Sequence, residues 1–201
     1  MTAPRKRTQT IDSRQKLITQ AEKLIIQTLR LARMFHLDKI PPFINSASVH
    51  PFTDYFKGFE KVETIRQIFG DRTEEVLRSL KVDFTWMGGY MWVNESNGHL
   101  MVNPDYLRRG DKLDIYLDII HELIHIRQLM EGKSLFDGSY RYVERPTEVE
   151  AYRYAVEEAK RLGLSNERIC QYLKTEWMSE DDLRQLAKTL GIECHSLDSE
   201  N

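Results

Sequence analysis

The stretch Asp114-Ile115-Tyr116-Leu117-Asp118-Ile119-Ile120-His121-Glu122-Leu123-Ile124-His125-Ile126-Arg127-Gln128-Leu129 is apolar enough to demand burial, yet it carries two histidines and a glutamate at its centre. It reads as one largely buried helix, with Asp111 placed to cap its start and Gly132 to stop it. Two imidazoles and a carboxylate on such a helix cost free energy unless they are paired or hold a metal. The fold must therefore bring a compensating group to the middle of this element. On an α-helix His121 and His125 project from one face. That spacing lets their nitrogens reach a single Zn²⁺ at about 2.0–2.1 Å, while Glu122, one step round, suits a water better than ligation. With only six histidines in 201 residues, this H-E-x-x-H points to two metal ligands and a general base for metal-assisted hydrolysis.

A hydrolytic zinc usually keeps three protein ligands and one water, so a third ligand is needed. Downstream, Pro146 and Thr147 mark a helix start, with Thr147 as N-cap and Glu150 completing a capping box. Ala151 and Ala155 give this second helix a small-residue face for close approach to the first. Glu148 shares a face with Ala151, Tyr152 and Ala155, whereas Glu150 points about 200° away. If the alanines face the metal helix, Glu148 is the ligand and Glu150 caps. Glu150 stays open as the alternative ligand, and both acids also suit the first turn by the helix dipole alone.

His121-Glu122-x-x-His125 followed by Glu148-x-x-Ala151 resembles the gluzincin group of zinc metallopeptidases. It is similar to the ImmA/IrrE-type regulatory peptidases and, more loosely, to the HtpX-type peptidases. The resemblance spans roughly residues 99–160. It implies His121, His125 and Glu148 as zinc ligands, Glu122 as base, and a zincin-like fold. Two positions depart from the pattern. Ile124 stands where the ImmA/IrrE type usually has glycine, and Tyr152 where the HtpX type has an aspartate supporting a ligand histidine. A tyrosine hydroxyl is a weaker acceptor than a carboxylate.

Upstream, Trp86 to Asn94 and His99 to Asn103 read as two strands joined by the turn Glu95-Ser96-Asn97-Gly98 and closed by Pro104. Such a hairpin either offers an edge strand to an extended peptide or simply supports the metal helix. In the expected reaction, zinc lowers the pKa of its bound water and Glu122 takes the proton as a carbonyl is attacked. Candidate oxyanion donors are Tyr140, Tyr142, Tyr152 and Tyr154, with Tyr152 favoured by its helix face, either for that role or as a partner of a ligand histidine. His99 reads as a surface residue.

Lys plus Arg number 29 and Asp plus Glu 31, so the formal charge of −2 gives no polyanion-binding signature. Cys170 and Cys194 form neither a disulfide framework nor a Cys-x-x-Cys site, which favours a reducing compartment. Met1 to Arg7 is a short basic tail without an apolar signal core, so the expected location is cytoplasmic, with no membrane partner.

The expected class is α+β: a mostly helical domain with a small antiparallel hairpin beside the metal helix. A disordered tail (1–11) precedes the domain (12–192), and a polar tail (193–201) follows it. Within the domain lie N-terminal helices (12–82), the hairpin (84–103), the metal-site helices (111–162) and a C-terminal helical hairpin (165–192). The first helix covers 12–36, Pro41-Pro42 breaks the chain, residues 45–53 form a loop, and a helix opens at Asp54 and runs to Phe69. A short helix over 73–80 leads into the hairpin. The C-terminal pair, 165–177 and 179–190, serves as lid, partner surface or core support. Its second helix begins with three acids, which speaks against phosphate binding.

The function these readings imply is hydrolysis of a peptide bond in a restricted cytoplasmic protein substrate. The alternatives are a non-catalytic zinc-binding interaction module and a zinc hydrolase of a non-peptide amide. Fe(II), Mn(II) or Co(II) also suit two imidazoles and one carboxylate.

Overall fold

Four short strands and two long helices frame the region around the histidines. The computed structural model describes residues 33–35, 49–87 and 89–194. The basic tail 1–11, the expected break at Pro41-Pro42, nearly all of the expected helix 12–36 and most of the polar tail 193–201 lie outside the described residues. The architecture is α+β, as the sequence predicts.

Strand β1 (Val49–Pro51) leads into a one-turn helix α1 (Phe52–Tyr55). The helix expected from Asp54 to Phe69 is instead broken. Gly58 takes φ 83°, a left-handed conformation that glycine adopts at little cost, and the chain restarts as a 3-10 turn (Phe59–Lys61) and then α2 (Glu63–Phe69). The apolar residues still reach the core: Phe52, Phe56 and Phe59 pack ring against ring, and Phe59 meets Tyr116. Helix α3 (Thr73–Ser79) then delivers strand β2 (Lys81–Phe84).

The expected hairpin is present as β3 (Met91–Asn94) and β4 (His99–Val102), but it is half of a larger sheet. The strand order is β1-β2-β4-β3, with β2 parallel to β4 and the other pairs antiparallel. The loop expected over 45–53 is thus partly strand and helix. Pro104 does more than close a strand. It stands at the first turn of α4 (Pro104–Arg109), where its missing N–H is harmless, and the Asn103 side chain caps that helix.

Helix α5 (Lys112–Met130) has thirteen of its nineteen residues buried, so it is enclosed nearly all round, and Asp111 caps it through the amides of Leu113 and Asp114. Its closest companion is α6 (Pro146–Arg161), and β3 also packs against it. Fully buried Ala151 and Ala155 allow the two helix backbones to approach. Each fully buried leucine or isoleucine along α5 contributes about 1.5–3 kcal/mol through the water it sheds.

Two further helices close the described chain, α7 (Asn166–Leu173) and α8 (Glu180–Thr189), the latter with the Ser179–Asp182 capping box that its sequence announces. Helix α7 ends at Leu173, short of the expected Trp177, because Lys174 is extended. The return of α8 brings Cys194 to Cys170, and the two are joined in a disulfide with Cα atoms 5.7 Å apart. This corrects the reading of the cysteines as unpaired; their separation of 24 residues carries no spacing signal of its own. Among the described residues, no helix is long and apolar enough to cross a membrane.

Candidate metal centre

Helices α5 and α6 bring His121, His125 and Glu148 together. The Nε2 atoms of the two histidines are 3.0 Å apart, and one Glu148 oxygen, Oε2, lies 3.3 Å from His121 and 3.5 Å from His125. All three side chains are buried, and their candidate ligand atoms lie within 4.8 Å of one another. A buried group of this kind can hold a metal ion. Glu148 Oε2 is buried without a hydrogen-bond partner, and so is Glu122 Oε2. Orphaned acceptors of this kind cost free energy unless a cation or a water meets them.

The orientation of His125 is fixed by Gln128, one turn further along α5 and fully buried. Gln128 donates from Nε2 to the Thr147 carbonyl (3.0 Å) and to Glu150 Oε2 (2.7 Å), so its Oε1 must accept. That oxygen lies 2.8 Å from His125 Nδ1. Nδ1 therefore carries the proton, and in the neutral ring Nε2 presents its lone pair toward Glu148.

The same network corrects the role expected of Glu150. It lies outside the His121–His125–Glu148 group and does not cap: it accepts from Arg127 at 2.6 Å and from Gln128, with Lys133 at 3.4 Å. Thr147 is not the N-cap either. The helix starts at Pro146 with Arg145 as its cap residue, and the Thr147 hydroxyl donates instead to the Leu135 carbonyl at 3.1 Å. Glu148 is left facing the histidines, as the alanine face predicts. Arg145 lies 3.6 Å from its other oxygen.

Electrostatics divide the carboxylates. Burial opposes charge on Glu148, but the neighbouring imidazoles of His121 and His125 overcome this and hold it well below the usual range. Burial dominates at Glu122 and, with the nearby charges of Glu148 and Asp118, pushes it up to about 8. Burial also lowers His121, whereas at His125 it is outweighed by the neighbouring Glu148 and Glu122 carboxylates, which raise it.

These groups open onto a cavity of about 400 Å³ walled by Met91, Trp92 and Val93 of β3, by Phe136 and by Trp177. β3 is an edge strand, with no partner beyond it among the described residues. Tyr152 packs its ring against His121, with centroids 4.4 Å apart, and shares a 2.9 Å hydroxyl contact with Tyr142. Both line the cavity. Tyr140 and Tyr154 do not: Tyr140 is exposed, and Tyr154 accepts from Arg127 at 3.3 Å beneath its guanidinium. His99 pairs with Asp83 at 3.0 Å in the sheet, away from the cavity.

Sequence reasoning passed over Gln128 as a positioning residue and Asp118 as a cavity residue. Both had a signal, since Asp118, His121, Glu122, His125 and Gln128 follow helical spacing along one face. Phe136 and Trp177 had none. No protein-family model, curated protein or solved structure matches the chain.

Proposed function

We propose that the chain is a zinc-dependent peptidase in which His121, His125 and Glu148 hold the metal and Glu122 moves the proton. The observation that carries this reading is the buried, unpartnered Glu122 oxygen beside the three converging ligand groups and open to a cavity. A metal that only stapled α5 to α6 would need no base and no cavity there.

Two imidazoles and one carboxylate suit zinc. Bound there, zinc supplies Lewis-acid activation of a water and of a carbonyl oxygen. The chain's own groups do the rest. Glu122 Oε2 accepts the proton of the attacking water and returns it to the leaving amine. The free edge of β3 offers backbone N–H and C=O groups to an extended substrate along the cavity wall. Phe136 and Trp177, each about half exposed, add apolar surface to the cavity wall. The Tyr142 hydroxyl, at the cavity wall beside Tyr152, is the candidate donor to the developing oxyanion.

The resemblance to ImmA/IrrE-type peptidases extends this reading to a restricted regulatory protein substrate in the cytoplasm. The Cys170–Cys194 disulfide weighs against that compartment, where thiols are kept reduced, so trapping the state of the two cysteines by alkylation in acid-quenched cells tests the location.

Elemental analysis of the purified protein, paired with peptide-library cleavage with and without a chelator, tests the whole. The expected result is one equivalent of zinc and chelator-sensitive cleavage that Glu122→Gln abolishes while metal content holds. Stoichiometric zinc without cleavage of any peptide would remove the enzymatic reading and leave a metal-binding module.

A further inference from the structure

Asp118 is an acid that the metal centre does not use. It lies one turn before His121 on the same face of α5, about 5 Å along the helix axis, and lines the same cavity as His121, Glu122 and Glu148. It also lines a second, adjoining recess of about 590 Å³ between α4, α5 and the 174–177 link. No lysine, arginine or histidine among the described residues forms an ion pair with it. It accepts a hydrogen bond from the Tyr106 hydroxyl. The Tyr172 hydroxyl lies beside it but finds no partner of good geometry, although Tyr172 is only 8% exposed, and the Thr175 hydroxyl is likewise buried and unpaired. A buried acid without a basic partner is costly, and its environment raises it to about 7 through burial first.

The walls have the chemistry of a cation site. Tyr106 stacks on Tyr90 at 4.5 Å, and Tyr90 meets Trp177 at 5.7 Å, so a cluster of aromatic rings lines the recess that holds the carboxylate. Aromatic faces combined with one acid attract ammonium and guanidinium groups. The charges nearby lean the same way. Asp105, Asp114 and Glu176 join Asp118 in the lining, while the basic groups there, Arg109 and Lys174, are exposed, and Lys174 is taken by Glu180 at 2.7 Å. Asp114 is answered by Arg168, leaving Asp118 as the inner acid without a basic partner.

We infer that the Asp118 recess receives a cationic nitrogen group of the substrate, adjoining the bond to be cleaved. The inference rests on the peptidase reading and names its substrate class. The cation is either a free α-amino terminus or a basic side chain, since both present the same charge within one residue's reach of the metal ligands.

The test is fluorescence anisotropy with labelled hexapeptides on the zinc-loaded full chain carrying Glu122→Gln, so that bound peptide is not consumed. The reference peptide is N-acetylated and contains norleucine. One arm replaces norleucine by lysine, and the other keeps norleucine but frees the α-amine. At least one arm should bind about tenfold tighter than the reference, the scale of a charge-assisted hydrogen bond. Asp118→Asn, which keeps an acceptor for Tyr106, should erase that advantage without changing reference binding. Equal binding of all three peptides overturns the inference, as does no measurable binding of either amine-bearing peptide at millimolar concentration or an advantage that survives Asp118→Asn. The peptide comparison does not depend on the variant folding. Tight, Asp118-dependent binding with no cleavage by the unsubstituted protein would instead sink the peptidase reading and keep the cation site.

Discussion

Gln128 Oε1 sits 2.8 Å from His125 Nδ1 and thereby sets which ring nitrogen faces the ligand cluster. Replacing Gln128 with leucine keeps the volume and removes the acceptor. Metal affinity should fall about 10–100-fold, read by competition with a chromogenic chelator, while the helical circular dichroism stays unchanged. Affinity equal to that of the parent would show that the ring is held by packing alone.

Glu148 and Glu150 stand two residues apart with different partners. Glu148→Ala removes an oxygen that faces both histidines, and the protein should leave a desalting column without metal. Glu150→Ala removes only an acceptor of Gln128 and Arg127, and it should keep its metal with weaker binding. The reverse ranking would reassign the third ligand.

Glu158 is fully buried and ties three helices together. It accepts from Thr64 of α2 (2.7 Å), Tyr116 of α5 (2.6 Å) and Arg161 of α6 (2.7 Å). Burial alone would raise its pKa, but the hydrogen bonds from Arg161, Tyr116 and Thr64 win and lower it. A carboxylate depressed in the folded state stabilises the fold above its unfolded pKa and loses that contribution as pH falls through the folded value. Glu158→Gln should therefore flatten the loss of stability below about pH 5. Glu158→Ala should cost about 3 kcal/mol at neutral pH, the low end for a broken buried pair because Arg161 is half exposed. Chemical denaturation at several pH values measures both effects, and parallel curves for parent and Glu158→Gln would remove this residue as the source of acid sensitivity.

The Cys170–Cys194 bond closes a 24-residue separation that includes the Thr175 and Trp177 cavity wall. Changing both cysteines to serine should lower stability by about 3 kcal/mol through the freed unfolded chain. Urea unfolding of the parent with reductant should match the double variant. Coincident midpoints for oxidised parent and variant would mean that the bond constrains nothing.

The metal-helix elements were legible because their signals are local: Asp111 capping α5, the turn before β4, and the Ser179–Asp182 box of α8. Long-range pairings were not. β1 is three residues long and ends in Pro51, and β2 acquires its strand identity only by lying parallel to β4. Glu158 follows another glutamate on a charged helix and looks solvated. Its burial depends on Thr64, 94 residues away. Glu150 misled through a Thr-x-x-Glu pattern that fits a capping box, whereas Arg127 and Gln128 offered it stronger partners than a backbone amide.

The enclosure of α5 has a genetic corollary. Its leucine and isoleucine contacts enclose the helix away from the cavity, so leucine at both 121 and 125 would strip the buried Glu148 and Gln128 side chains of their partners in an oily environment. Such a doubly altered chain should accumulate less well than the parent. Selection for expression or heat resistance would therefore retain the two imidazoles even where turnover is never assayed.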